Sequence, residues 1–206
     1  DDHLNWVECS ETMMNQVQAL RARGCNFEYG PDREGLYCAR DETPPRIRMQ
    51  NCSAPNAGDP PHVAHGRAAG AVQGLAHEMG HAMYRPPSNL DVWHGMPAAG
   101  PGGERNATDF MRNNVNEMQV DEGAATLNNS QIRDEMLAKC GVDIGINGPP
   151  GATPAYSGIA RGPGSFEQKS QQIADRWRYD STPSGQTGGR NDNYSRMYSR
   201  HAWPAW

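Results

Sequence analysis

The stretch QGLAHEMGHAMYR, residues 73–85, places two histidines four residues apart, with a glutamate directly after the first. Residues four apart lie on one face of an α-helix, so the imidazoles of His77 and His81 can bind one zinc ion. Glu78 then lies beside the metal, where it can take a proton from a water molecule that the metal activates. The H-E-x-x-H pattern therefore predicts a catalytic zinc site on a helix.

The residues around this pattern predict the helix itself, from about residue 66 to residue 85, with Pro86–Pro87 ending it. Its apolar stripe consists of Val72, Leu75, Ala76, Met79, Ala82 and Met83. Gly74 and Gly80 each cost about 1 kcal/mol of helix stability relative to alanine. A helix that contains both glycines is expected to pack closely against another backbone.

Catalytic zinc sites usually have three protein ligands and one open position. The metzincin continuation is missing, because Tyr84 and Pro87 stand where that pattern needs a glycine and a third histidine. The later stretch NEMQVDE, residues 116–122, instead resembles the N-E-x-x-x-D helix of thermolysin-like gluzincins. This resemblance implies that Glu117 is the third zinc ligand and that Asp121 orients a ligand histidine.

Glu122 is an alternative third ligand. Glu117 and Glu122 are about 140° apart around a helix, so they are not both expected to face one ion. Glu117 is preferred because Asp121, four residues later on the same helix face, then has a role.

A wider resemblance covers residues 70–140. AHEMGHAM followed by DEGAATLNNSQIR resembles the zinc metallopeptidase toxin domains at the ends of bacterial secretion effectors, including type VI secretion spike proteins and polymorphic toxins. Residues 131–133 keep the end of a segment like E-N-x-I-R in those domains, whereas Asn129 and Ser130 replace its usual Glu-Asn. The resemblance implies a secreted antibacterial effector that cleaves a protein or peptide substrate in the periplasm or extracellular space and has a cognate immunity protein.

Composition limits the other classes of function. The 206 residues carry a formal net charge of −5, which argues against nucleic acid or an anionic membrane surface as the main partner. No apolar run reaches the roughly 18–20 residues that a membrane span needs. The chain starts at DDHLNWVEC without a signal-peptide pattern and is expected to be the mature or excised part of a longer exported protein.

The expected fold class is α+β: a single zincin-like domain over residues 1–206, mainly helical, with a small sheet and long Gly/Pro-rich loops. Residues 1–60 form a Cys-rich N-terminal part, and residues 66–140 contain the metal-binding helices. Ile47 and Met49 alternate with polar neighbours as in a half-buried strand.

Beyond the motif helix, the apolar spacing predicts four further helices. They are expected over residues 10–23, from about 108 into the 120s, over 130–141, and from 166 into the 170s. Residues rich in glycine and proline predict the long loops, at 86–105 and 141–164, which are natural walls for a cleft.

Four of the five cysteines, Cys9, Cys25, Cys38 and Cys52, lie in the first quarter of the chain, and Cys140 stands apart. The cluster predicts two disulfides in one of three pairings, with Cys140 left over; reduced thiols are the alternative. Disulfides favour an oxidising compartment.

The remaining histidines and aromatic residues give weaker signals. His62 and His65, three apart before the motif helix, are expected to be solvated rather than to bind a second metal ion. Trp203 and Trp206 are expected to pack in the core. The residue that stabilises an oxyanion is open among His94, His201, Tyr156, Tyr194 and Tyr198.

The sequence therefore predicts a zinc-dependent metallopeptidase with Glu78 as its general base. Two other classes stay open: a zinc amidase that acts on peptidoglycan, and a non-catalytic binding module whose metal helix is structural.

Overall fold

The structure, a computed structural model, describes residues 6–30, 37–39, 43–50, 58–84, 107–148 and 151–177. The elements in chain order are α1 (Glu11–Ala22), β1 (Asn26–Gly30), β2 (Tyr37–Ala39), β3 (Arg46–Gln50), α2 (Pro61–Met83), α3 (Ala107–Cys140), α4 (Thr153–Arg161) and α5 (Phe166–Trp177). The described chain is mainly helical with a small sheet, as predicted. The predicted loop at 86–105 lies outside the described residues.

Helix α1 begins and ends where its sequence predicts. The Ser10 hydroxyl accepts a hydrogen bond from the backbone N–H of Met13 at 3.0 Å, which satisfies one of the free donors at the helix start. Met13 and Leu20 are buried, with exposed fractions of 0% and 3%. Gly24, at φ 79°, takes the left-handed conformation that follows the last turn.

The sheet has the strand order β1-β3-β2. Strands β1 and β3 run parallel, with Phe27 opposite Ile47, whereas β2 pairs with β3 in the antiparallel direction. Ile47 and Met49 are buried, so the predicted alternation in this strand is confirmed. At the next pair along these strands, Arg48 Nε donates a hydrogen bond of 2.8 Å to Glu28 Oε1.

Helix α2 begins five residues earlier than predicted, at Pro61, and ends at Met83. Proline suits the first helical position, because its φ is already helical and the N–H it lacks would have no partner there. As a consequence, His62 and His65 lie in the first two turns of α2 rather than in a loop, and both are exposed.

Helix α3 is one helix of 34 residues, where the sequence predicts two separate helices. The prediction ends the first helix in the 120s and begins the second at residue 130, but residues 123–130, which contain weak helix formers, are all buried within one helix. Packing thus overrides local propensity. Gly123 illustrates the close fit, since a Cβ atom there would lie 2.1 Å from the carbonyl oxygen of Ser170. The helix ends at Gly141, φ 68°, as predicted.

The prediction of a continuous loop over 141–164 was wrong, because α4 lies within it. Pro154 is in the first turn of α4, where a proline does not interrupt the helical hydrogen bonds. Tyr156 is fully buried and anchors the helix, since a Cβ atom at Gly148 would lie 2.8 Å from its ring.

The strap of residues 141–148 between α3 and α4 is held by side chains of α3. Asn129 donates to the carbonyl of Gly145 at 3.3 Å and accepts from the N–H of Asn147 at 2.6 Å. Arg133 Nε donates to Asp143 at 2.6 Å. Asn129 and Arg133, which lie in the segment that resembles the toxin domains, therefore hold residues 141–148 in place.

The chain packs as two compact units. The first unit consists of residues 1–84 and 125–163, and the second of residues 85–124 and 164–206. Within the first unit, α1, α2, the sheet and the C-terminal half of α3 share a core. Its fully buried members include Met13, Ile47, Ala76, Met79, Ile132 and Met136. The prediction of a single domain stays a prediction.

The disulfide in the first unit joins Cys9 to Cys140, so the prediction that Cys140 is left over was wrong. Cys25 is buried and reduced, and its burial raises the pKa of the thiol above the ordinary value. The Cys38 side chain and Cys52 lie outside the described residues. The predicted pairing within the N-terminal cluster fails because the start of α1 packs beside the end of α3, 131 residues away in sequence.

Glu135 of α3 holds the start of α1 beside the disulfide. Its carboxylate accepts hydrogen bonds from Ser10 Oγ at 2.6 Å and from the N–H of Thr12 at 3.0 Å. Burial alone would raise the pKa of Glu135, but the hydrogen bonds from Ser10, Thr12 and Gln131 outweigh it, and the pKa lies below its ordinary value. A charged carboxylate therefore stabilises the positive end of α1.

Replacing Cys9 and Cys140 by serine is expected to lower the free energy of unfolding by about 2–5 kcal/mol, since the disulfide closes a long loop in the unfolded chain. Urea unfolding of the oxidised protein and of the double variant measures this difference. Peptide mapping after alkylation is the control: it should recover Cys9 linked to Cys140 and Cys25 as a thiol. A linkage of Cys9 to Cys25, Cys38 or Cys52 would contradict the structure.

No helix within the described ranges has both the length and the apolar character needed to cross a membrane.

Candidate metal centre

The two histidines of the motif face each other on α2, as their spacing predicts. His77 Nε2 and His81 Nε2 are 3.2 Å apart, and the ring centroids are separated by 4.8 Å with an interplanar angle of 87°. His77 is buried, with 3% of its surface exposed, whereas His81 is half-buried. The same ring nitrogen of each residue thus points to one place at the edge of the helix.

This separation fits a shared metal ion. Histidine nitrogens bind zinc at about 2.0–2.1 Å, so two such ligands of a tetrahedral ion are about 3.3 Å apart. The Nε2 atoms, 3.2 Å apart, already have close to the spacing of one edge of that tetrahedron. The residues present therefore fit a zinc ion.

Glu78 completes the group. Only 5% of its surface is exposed, and a carboxylate oxygen lies within 4.8 Å of the ligand atoms of both histidines. The carboxylate and the two imidazoles therefore lie close enough together to act on one metal-bound group. The described residues contain one group of three or more potential metal-binding side chains, and this is it.

The other side of α2 fixes the histidines by packing into the core. Ala76 and Met79 are fully buried there, and Leu75 and Met83 pack against the same cluster. The apolar stripe predicted from the sequence is thereby confirmed. Because the stripe is buried, the helix has little freedom to rotate about its axis, and the histidine face keeps its direction.

Gly80 lets α2 approach α3 closely. A Cβ atom at this position would lie 2.5 Å from Ala125 Cα and 3.0 Å from Asn128 Cβ. No side chain fits at such distances, so the predicted close approach of another backbone is confirmed for Gly80. The contact is one residue before His81, so it determines how close the turn that carries the two histidines lies to α3.

A hydrogen-bonded amide pair of buried Asn128 and half-buried Gln16, which the sequence analysis did not single out, links three helices at this turn. Asn128 of α3 and Gln16 of α1 exchange two hydrogen bonds, of 2.6 Å and 3.1 Å. Asn128 Nδ2 also donates to the carbonyl oxygen of Ala76 at 2.8 Å. The available signal was an asparagine inside a buried helical stretch, where an unbonded amide is costly.

The acidic candidates lie on α3, as predicted. Glu117 and Asp121 are one turn apart on this helix, and Glu122 follows them. All three are half-buried, and burial raises the pKa of Glu117 above the ordinary value of a glutamate. They belong to the second unit and the histidines to the first, so the third ligand and the role of Asp121 stay predictions.

The residues that gave weaker signals in the sequence, as candidates for a second metal site, for oxyanion stabilisation or for the core, lie at different places in the chain. His65 makes an edge-on ring contact with Trp6 at a centroid distance of 4.8 Å, and His62 is exposed nearby. Tyr156 is buried against Gly148, as described above. The other oxyanion candidates and the tail tryptophans lie outside the described residues; they are His94, His201, Tyr194, Tyr198, Trp203 and Trp206.

Comparison with known proteins gives no family for this chain: no family model, no curated protein and no solved structure matches it. The resemblances to gluzincins and to secreted toxin domains therefore rest on the motif residues themselves.

Gly80→Ala is expected to destabilise the protein by about 1–3 kcal/mol and to weaken metal binding, because the added methyl group would push α2 away from α3. Gly70→Ala is the matched control on the same helix, where nothing lies within 4 Å of the added atom. That variant should gain about 1 kcal/mol from the better helix propensity of alanine. Thermal unfolding of both variants measures the contrast, and equal stability would contradict the close approach.

Proposed function

We propose that this chain is a zinc-dependent metallopeptidase in which His77 and His81 bind the metal and Glu78 is the general base. The observation that carries the proposal is the 3.2 Å separation of the two Nε2 atoms, which is close to the edge of about 3.3 Å in a tetrahedral zinc site. The buried carboxylate of Glu78 beside them is the group that a hydrolase needs and a structural metal site does not.

His77 and His81 would hold the zinc ion, which when bound would act as a Lewis acid, lower the pKa of water toward about 7 and polarise the carbonyl group of the scissile bond. The side chain of Glu78 takes the proton of the attacking water and then gives it to the leaving amine. His77 and His81 hold their ring nitrogens toward the metal because the rest of α2 is packed into the core.

Glu117 is proposed as the third ligand, with Asp121 as the carboxylate that orients a histidine ring. The continuous course of α3 supports this assignment, since it places Glu117 and Asp121 one turn apart on one helix. Glu122 is the alternative ligand, on a different face of the same helix.

The biological role proposed is that of a secreted antibacterial effector with a protein or peptide substrate and a cognate immunity protein. Two features support it. The H-E-x-x-H helix and residues 131–133 resemble toxin domains of that kind, and the Cys9–Cys140 disulfide favours an oxidising compartment such as the periplasm or extracellular space.

Purified protein is expected to contain about one zinc ion per chain and to hydrolyse unfolded protein substrates. His77→Ala should lose both the metal and the activity, because it removes one of the two imidazoles that face the metal position. Glu78→Gln should keep the metal and lose about 10²–10⁴-fold in kcat, since general acid–base catalysis is worth that much. Metal analysis and peptidase assays on the same preparations measure both effects.

His65→Ala is the matched control for these variants, because this histidine lies on the same helix but is exposed and distant from the motif. It should keep both zinc and activity. Release of fragments from peptidoglycan without cleavage of unfolded protein would favour the amidase. Full activity of Glu78→Gln would reject Glu78 as the general base, and a parent protein that binds zinc but hydrolyses neither substrate would favour the binding module.

Glu117→Gln and Glu122→Gln are expected to differ in metal content: the first should lose zinc and the second should keep it. The reason is that only one of two carboxylates about 140° apart on a helix can face the ion. Inductively coupled plasma analysis after dialysis against a weak chelator measures the difference. Zinc loss confined to Glu122→Gln would move the third ligand to that residue.

A further inference from the structure

We propose that Asn128, held by Gln16, is a positioning residue for the metal centre: it fixes the axial position of the α2 turn that carries His77 and Glu78. The inference rests on the proposed function, since it assigns Asn128 a role toward the metal that His77 and His81 would bind. It concerns how the site is held rather than which groups touch the metal.

The hydrogen bonds of Asn128 use the whole side-chain amide. An asparagine amide offers two N–H donors and one carbonyl acceptor. One donor reaches Gln16 Oε1 at 3.1 Å, the acceptor receives Gln16 Nε2 at 2.6 Å, and Nδ2 also donates to the Ala76 carbonyl at 2.8 Å. The reverse orientation of the amide would place two carbonyl oxygens against each other. Gln16 therefore keeps the remaining N–H aimed at α2.

Asn128 also touches the other end of the same turn. Its Cβ atom lies 3.0 Å from the place where a Cβ of Gly80 would be. Residue 76 precedes His77, and residue 80 precedes His81, so the two contacts bracket the metal-binding turn. Only 6% of Asn128 is exposed, which keeps water from competing for the Ala76 carbonyl.

The hydrogen bond from Asn128 to the Ala76 carbonyl constrains the position of α2 in a way that the apolar contacts around it do not. The apolar contacts of Ala76 and Met79 are non-directional, and they tolerate small axial shifts between helices at little cost. A hydrogen bond weakens once its length exceeds about 3.2 Å, so a displacement of about 0.5 Å along the bond from Asn128 to the Ala76 carbonyl, which is 2.8 Å long, would already weaken it. A metal site needs its ligands within about 0.5 Å of the productive geometry. The amide supplies a constraint on that scale, and the apolar core does not.

The alternative is that Asn128 only stabilises the fold. Asn129 provides the comparison, because it is the adjacent residue, is fully buried and also makes two hydrogen bonds to backbone groups. Its partners, Gly145 and Asn147, lie in the strap of residues 141–148. A purely stabilising role predicts the same behaviour for variants at both positions, whereas a positioning role predicts a difference in metal affinity.

The test compares Asn128→Leu with Asn129→Leu by measuring zinc affinity through chelator competition and thermal unfolding of the metal-free protein. Both variants should lower Tm. Asn128→Leu should weaken zinc binding by about 10–100-fold, the usual effect of losing a group that orients metal ligands. Asn129→Leu should keep the zinc affinity of the parent within a few-fold. The visible spectrum of the Co²⁺-substituted protein should change only in Asn128→Leu.

Gln16→Ala is a gentler second variant, because Gln16 is half-buried on α1 and its loss leaves no cavity in the core. It should weaken zinc binding less than Asn128→Leu does, and the two effects should not add in the double variant, since both act through one amide pair. It keeps the inference testable if Asn128→Leu fails to fold.

The outcomes separate this inference from the proposed function. Parental zinc affinity in folded Asn128→Leu, or in Gln16→Ala if the first does not fold, overturns the positioning role. Zinc binding without hydrolysis by the parent rejects the peptidase, yet a loss of affinity in Asn128→Leu would still support positioning. A parent protein that binds no zinc overturns both.

Discussion

The close approach of α2 to α3 at Gly80 is the constraint on which the candidate metal centre depends. With only hydrogen on the Gly80 Cα, the two backbones meet at a distance that no side chain would allow. The metal-binding turn is then held between the core on one side and α3 on the other. A short helix–helix distance also brings the Asn128 amide within reach of a backbone carbonyl on α2. The backbone contact at Gly80 and the hydrogen bond from Asn128 therefore both depend on the short distance between α2 and α3.

Around this contact, the first unit combines apolar burial with a few directional polar groups. The core residues drive the helices together, but non-directional burial alone does not set the axial register of one helix against another. Glu135 fixes the start of α1 through Ser10 and Thr12, and the Cys9–Cys140 disulfide joins the same ends covalently. Glu135 is half-buried at a place where a neighbouring helix presents donors that its carboxylate satisfies, which is the condition for such a group to stabilise a fold.

The chemistry proposed for the site relies on that rigidity. Two imidazoles whose Nε2 atoms lie at the spacing of a zinc coordination edge lose little side-chain entropy when a metal binds, because packing has already paid that cost. Glu78 is equally constrained, being almost fully buried next to them. A proton acceptor of fixed position beside an activated water is what general base catalysis requires. The amide pair of Gln16 and Asn128 extends this preorganisation one layer beyond the groups that would touch the metal.

The sequence by itself determined the features that depend on neighbours within one or two turns. These are the facing histidines, the Ser10 cap, the alternation around Ile47 and the end of α3 at Gly141, since helical and strand periodicity are local. Tertiary structure decided the rest. Cys9 meets Cys140, and Asn128 meets Gln16, across more than a hundred residues of chain. Burial keeps α3 helical through a stretch of weak helix formers, and the buried ring of Tyr156 stabilises α4 in a segment rich in glycine and proline. Partners so distant in sequence leave no local pattern, because their contact energy arises only once the helices have packed.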